Sequence, residues 1–169
     1  MIRAILISAA TVAALIVPSA PAGAAVDVLT CVSSTDVTYT PGLLLTPQEV
    51  KVEVDGKFLT CVDLSGQSIT GGTYGAKLKA TRSCLDLLAS TTGTFTVHWN
   101  NNSSSTINFS RTTTVTGAAI VTTEVGAVVS GAFTGHSTVF VTTGPNLLTQ
   151  CLAPPGLTTF HTNGDLTVV

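Results

Sequence analysis

The side chains able to do acid–base, nucleophilic or metal chemistry are few and scattered. The three histidines are His98, His136 and His161. No two stand at i, i+2 or i, i+4, the spacings that set two ligands on one side of a strand or helix, so no metal site is expected. The chain has neither a G-x-S-x-G elbow nor an S-x-x-K with its partners. A Ser-His-Asp group would have to be assembled by the fold alone, because such groups are defined by geometry and not by spacing. Glu49, Glu53 and Asp55 interleave with Lys51 and Lys57, which reads as ion pairs on a wet face rather than a glycosidase pair. Asp63, Asp86 and Asp165 lie near loops, and Asp36 reads as a turn residue. No catalytic residue, metal or cofactor is assigned, and the chain is read as non-enzymatic.

Four residues are candidate ligand contacts: Trp99, Arg111, Tyr39 and Tyr74. Trp99 with the two tyrosines is one possible sugar-stacking platform, although Trp99 also continues an apolar face and so reads first as core. Arg111 is out of place, since counting by twos from Ile107 and Phe109 sets it on the apolar face. Three readings fit: a bulge shifts the register, the stem lies on the core rim with its head in water, or the guanidinium anchors an acidic ligand.

The element that positions these residues is the stretch Thr94 to Phe109. Phe95, Val97 and Trp99 alternate with Thr94, Thr96 and His98. After a polar run, Ile107 and Phe109 alternate with Thr106, Asn108 and Ser110. Alternation over two segments joined by a polar turn predicts an antiparallel hairpin with one buried face. Similar short strands are expected throughout. Turns are read at Ser33–Asp36, Pro41-Gly42, Asp55-Gly56, Thr116-Gly117, Gly126, Thr134-Gly135 and Asn163-Gly164, with a short helical turn near Leu85–Leu88. About ten short strands with frequent turns fit a two-sheet antiparallel β-sandwich, Ig-like or related. The Ser/Thr-rich segment from Ser104 to Ser130 also has the composition of a membrane-inserting hairpin, but it shares that composition with the whole chain.

Composition points the same way. Of 169 residues only 9% are charged and 30 are threonine, so hydroxyls must supply the polar surface and β-branched side chains favour strands. A formal charge of -2 gives nucleic acid no cluster of cations to bind. Met1-Ile2-Arg3, the apolar run Ala4–Val17, Pro18 and Ala22-Gly23-Ala24 have the order of a secretory signal peptide. Residues 1–24 are therefore read as the signal and residues 25–169 as a single exported domain, with no later segment long enough to span a membrane as a helix. Cys31, Cys61, Cys84 and Cys151 all follow the signal, and an even count in an exported chain implies two disulfides. Three connectivities exist, of which Cys31–Cys61 with Cys84–Cys151 is favoured. Asn101, Asn102 and Asn108 open N-x-[ST] patterns, which matter only in a host that glycosylates them.

Several short pieces carry a resemblance: Tyr39-Thr40-Pro41-Gly42-Leu43, Ser83-Cys84-Leu85, Trp99-Asn100, Ser130-Gly131-Ala132-Phe133-Thr134-Gly135, Leu147-Leu148 before Cys151-Leu152, and Pro155-Gly156-Leu157. In this order the chain resembles a family of small secreted actinobacterial proteins of no assigned function. The resemblance implies secretion and a two-disulfide β fold, and it carries over no site residue. The functional expectation is a secreted surface or interaction module with an unknown extracellular partner, protein or glycan. Two alternatives are a carbohydrate or cell-wall binding module built on Trp99, and an inhibitor of secreted proteases presenting the loop Gly66–Gly75.

Overall fold

The computed structural model describes residues 28–169; the expected signal peptide and its cleavage site lie outside them. Eight strands follow one another: β1 Leu29–Leu43, β2 Gln48–Asp63, β3 Gly72–Arg82, β4 Thr91–Trp99, β5 Ser104–Thr116, β6 Ala119–Gly131, β7 Ser137–Pro145 and β8 Leu157–Val168. Each pairs antiparallel with the next, and β8 pairs back onto β1. The sheet is therefore a closed up-and-down β-barrel, which corrects the expected two-sheet sandwich. All-β character and alternation are common to both architectures. The distinguishing fact is that β1 finds β2 on one side and β8 on the other, so the first and last strands have no free edge.

The strands are fewer and longer than the sequence suggests, because five expected turns lie inside them. Ser33–Asp36 and Pro41-Gly42 are part of β1, Asp55-Gly56 of β2, Gly126 of β6 and Asn163-Gly164 of β8. For Asp55-Gly56 the reason is the lumen. An eight-stranded barrel has an interior just wide enough for side chains to fill, so a ring on one strand needs a vacancy on its neighbour. Gly56 lies opposite Tyr74, and any Cβ there would meet the Tyr74 ring. Gly93 lies opposite Phe109 and is covered by its ring in the same way. These glycines clear space for aromatics within strands and do not turn the chain.

The hairpin from Thr94 to Phe109 forms as expected, with Phe95 opposite Ile107 and Val97 opposite Ser105. Val97, Trp99 and Ile107 are buried, and Thr94 and His98 face outward. Trp99 is 4% exposed and its Nε1–H donates to the Ser105 hydroxyl at 2.8 Å. The extra residues are Leu59 in β2 and Val129 in β6, where the registers shift by one.

Two apolar clusters fill the lumen. The upper one gathers Leu29, Phe58, Trp99, Phe133, Phe140 and Leu166 among others. The lower one gathers Tyr39, Leu43, Val50, Ile120, Leu157 and Phe160. Short 3-10 turns at Cys84–Leu88 and Leu148–Leu152 lie at the lower end. The disulfides are Cys31–Cys61 and Cys84–Cys151, the favoured pairs. The first joins β1 to β2; the second joins the two 3-10 turns.

Two outcomes test this account. The Cys84–Cys151 bond closes a separation of 67 residues. On the chain-entropy model its replacement by two alanines lowers unfolding free energy by about 4 kcal/mol, read from denaturant midpoints. Gly56→Val forces the Tyr74 ring aside and is expected to cost about 1–3 kcal/mol as an overpacking substitution. In a Tyr74→Ala background the same substitution should cost far less, and an equal cost in both backgrounds would refute the ring-over-glycine explanation.

Candidate functional site

Between the two apolar clusters the lumen turns polar. The inward side chains there include Ser33 and Thr35 on β1, the Tyr74 hydroxyl from β3, Arg111 on β5, Glu124 on β6 and Thr162 on β8, opposite Thr35. Ser33 donates to the Gly164 carbonyl at 3.0 Å, and the Thr35 and Tyr74 hydroxyls are 2.5 Å apart. Arg111 keeps the inward parity of Ile107 and Phe109, because the β5–β6 register shift lies above it. It stands directly opposite Glu124. Oε1 of Glu124 accepts from Arg111 Nε at 2.7 Å and also from Nη2. The guanidinium carbon lies 5.3 Å from the centroid of the Phe109 ring, a cation–π arrangement. The Glu124 side chain is 9% exposed and that of Arg111 42%. The acid is thus sealed in the barrel wall while the base reaches water.

Of the four candidate contacts the structure gathers three. Arg111 and Tyr74 belong to the polar waist. Tyr39 faces inward below it, close enough for the Arg111 charge to act on both phenols. Trp99 lies apart in the upper cluster and has almost no surface on which a sugar could stack. All six phenylalanines and both tyrosines likewise occupy inward positions. The residue that sequence reading missed is Glu124. Its signal was present in the hairpin register: with Thr116 opposite Ala119, five steps back along β5 and five steps on along β6 bring Arg111 to Glu124. Placing the turn one residue early hides this pairing.

The remaining candidates are dispersed. His98 faces outward and His136 lies in the turn before β7. His161 Nδ1 is 2.8 Å from Asp36 on the outer surface. Among the described residues no three His, Cys, Asp or Glu side chains come together as a metal site. Glu53 is flanked by Lys51 at 2.7 Å and Lys77 at 3.4 Å, and hydrogen bonding and charge from Lys51 first, then Lys77, lower its pKa. Burial alone would raise the Asp63 carboxyl, but hydrogen bonds from Ser65 and the backbone of Ile69 and Gln67 bring it below the ordinary value. That carboxylate and Asn100 Oδ1 pin the segment between β2 and β3 through Ser65, Ile69, Thr70 and Gly71. Gly72–Gly75, the second half of the expected inhibitory loop, are strand residues of β3.

The outer surface divides by charge. Lys51, Glu53, Asp55, Lys57, Lys77 and Lys79 cover β2 and β3. Between Asp86 and Asp165 the only charged residues are Arg111 and Glu124, which are paired in the lumen. The outer face of β5–β7 is therefore uncharged. It shows Asn108, Ser110, Thr112 and Thr114 on β5, and exposed valines at Val125 and Val129 on β6 and Val139 and Val141 on β7. Val125 lies directly opposite Val139.

No protein-family model matches this chain, and neither a curated protein nor a solved structure matches it. Among the described residues no helix is long and apolar enough to cross a membrane.

The waist predicts an alkaline response. Burial raises both tyrosines from 10.0 to about 12, the Tyr39 rise being partly offset by Arg111 and Arg82 and that of Tyr74 by the Thr35 hydroxyl. The folded chain holds these protons while the unfolded chain releases them near 10, so stability is full below pH 10 and falls as pH rises toward 12. Each phenol then withdraws up to about 2–3 kcal/mol. These are the only two tyrosines, so the phenolate absorbance of the native chain should stay flat to about pH 11 and rise together with unfolding.

Proposed function

We propose that the protein is a secreted, non-enzymatic module that acts by docking a partner protein on the uncharged outer face of β5–β7. Two disulfides with no membrane-spanning helix among the described residues are compatible with an extracellular setting and support the exported reading. The observation that carries the docking surface is the exposed valine group Val125, Val129, Val139 and Val141, set among hydroxyls and amides with every charge placed elsewhere.

Charge and area both favour a protein. A face without charge gains nothing from an acidic or basic partner and desolvates at little cost against a neutral one. Three strands about 4.8 Å apart, over about nine residues at roughly 3.3 Å each, present about 400 Å². That is the size of an exposed patch that is often functional on a monomer, and about half of one side of a standard interface. A glycan partner is less well served, because stacking on sugars needs exposed rings and the aromatic side chains point inward.

The test measures retention of the labelled mature chain on the cell envelope of the producing host, with the envelope intact or protease-stripped. Retention should need the envelope proteins and fall at least tenfold in Val125→Lys/Val139→Lys, with thermal unfolding nearly unchanged because both positions face water. Lys77→Glu, on the charged side, should behave as wild type. Retention that survives protease treatment would replace the protein partner with a glycan. Retention indifferent to the valine substitutions would overturn the docking face, as would sedimentation equilibrium showing that the face is consumed by a second copy.

A further inference from the structure

The barrel is closed all round except along one seam. β3 and β4 are joined only at Gly72–Trp99, Thr73–His98 and Tyr74–Val97. Below Tyr74, β3 stays with β2 as far as Arg82, and β4 stays with β5 as far as Thr91 opposite Arg111. The strands diverge because the connection between them must descend to the 3-10 turn Cys84–Leu88. That turn is fixed by the disulfide to Cys151 and by the Cys84 N–H donating to the Leu44 carbonyl at 2.8 Å. The result is a side opening into the lumen.

Its lining is visible in the burial. Leu78 has inward parity and lies opposite Val52, which is 9% exposed, yet Leu78 itself is 41% exposed. Ala76 and Ala80 flank it on the same face. The opposite wall is Phe95 and Phe109, both half-buried, with ring centroids 5.8 Å apart. At the end of this wall sits the Arg111 guanidinium. Glu124 engages its Nε and Nη2, and Nη1 has no partner among the described residues. The Tyr39 side chain, inward on β1, is buried except at its hydroxyl, which likewise has no hydrogen-bond partner among the described residues.

We infer that the opening between β3 and β4 is a binding site for a small amphipathic carboxylate, an aryl or short acyl acid. The apolar body would lie between Ala76–Ala80 and the Phe95–Phe109 wall. The carboxylate would accept from Arg111 Nη1 and the Tyr39 hydroxyl, donors that lack an acceptor among the described residues. This site is on the inner face, whereas the docking surface proposed above is the outer face of β5–β7, and it stands without it.

The experiment is a two-dimensional amide NMR titration of the oxidised mature chain with 3-phenylpropionate and with its uncharged carboxamide. Saturable shifts are expected at Ala76–Ala80, Gly93, Phe95, Phe109 and Arg111, with the acid binding at least tenfold more tightly. Arg111→Met/Glu124→Leu removes the ion pair as a unit, so no lone charge stays buried, and should abolish the preference for the acid while the carboxamide still binds. Leu78→Trp, at a water-exposed position, should fill the opening and abolish both without depending on the ion pair for folding. No saturable shift up to about 10 mM acid, weaker than any useful affinity, overturns the site. Shifts confined to other strands also overturn it, and equal affinity for acid and carboxamide overturns the ligand class.

Discussion

The backbone ladder between β1 and β8 is the constraint from which the rest of the structure follows. Leu29 to Thr38 pair with Val168 to Thr159 in an unbroken register, so the first strand is held on both sides. An open eight-stranded sheet would leave two rows of unpaired N–H and C=O groups and would need a second layer to cover its apolar face. Closure removes both needs at once, because the sheet becomes its own second layer. It also fixes the interior volume. Every inward position then has to be filled from a lumen that cannot widen, and rings such as Tyr74 and Phe109 fit only where a neighbouring strand offers glycine.

Against that packing the Arg111–Glu124 pair is an exception that the barrel accommodates by asymmetry. Sealing both ions in the wall would leave two desolvated charges whose mutual attraction only roughly offsets their dehydration. Here only the carboxylate is sealed, and the guanidinium keeps part of its hydration at the β3–β4 seam. Arginine suits this place better than lysine. Its planar group can put two N–H bonds on one carboxylate oxygen and still lie over the Phe109 ring. The gap in the β3–β4 ladder thus lets water reach an inward charge.

Much of the local structure was legible in the sequence, and the closure was not. Period-two alternation gave the faces of Phe95, Val97, Trp99 and Ile107 correctly, because an inward side chain obeys the same pleat in a sandwich or a barrel. Of the three cysteine connectivities that the sequence leaves open, the favoured one is formed. What alternation cannot encode is which strand lies beside the first one, since that is a property of accumulated twist and tilt and not of any residue. Glycine misled for a related reason. Asp55-Gly56 has the chemistry of a tight turn, and only the ring of Tyr74, across the β2–β3 pair, reveals that Gly56 answers a steric demand within a strand. The candidate site was half visible. Arg111 stood out by its parity, whereas Glu124 was hidden because a hairpin turn set one residue early slides the pairing by two places and puts Thr122 opposite Arg111 in its stead.

Alternation along the pleat explains how one strand serves two surfaces. On β5, Arg111 points into the lumen toward the seam, and its neighbours Ser110 and Thr112 point outward among the uncharged side chains. On β6, Glu124 is inward and Val125 outward. The chain uses very few charges, and the two that lie between Asp86 and Asp165 are paired with each other inside the wall. That leaves the outer face of β5–β7 electrically silent while β2 and β3 carry alternating lysines and acids. A barrel so divided can be solvated on one side by ions and on the other only by hydroxyls. The hydroxyl side is where water is held least firmly, and there the exposed valines are most readily covered.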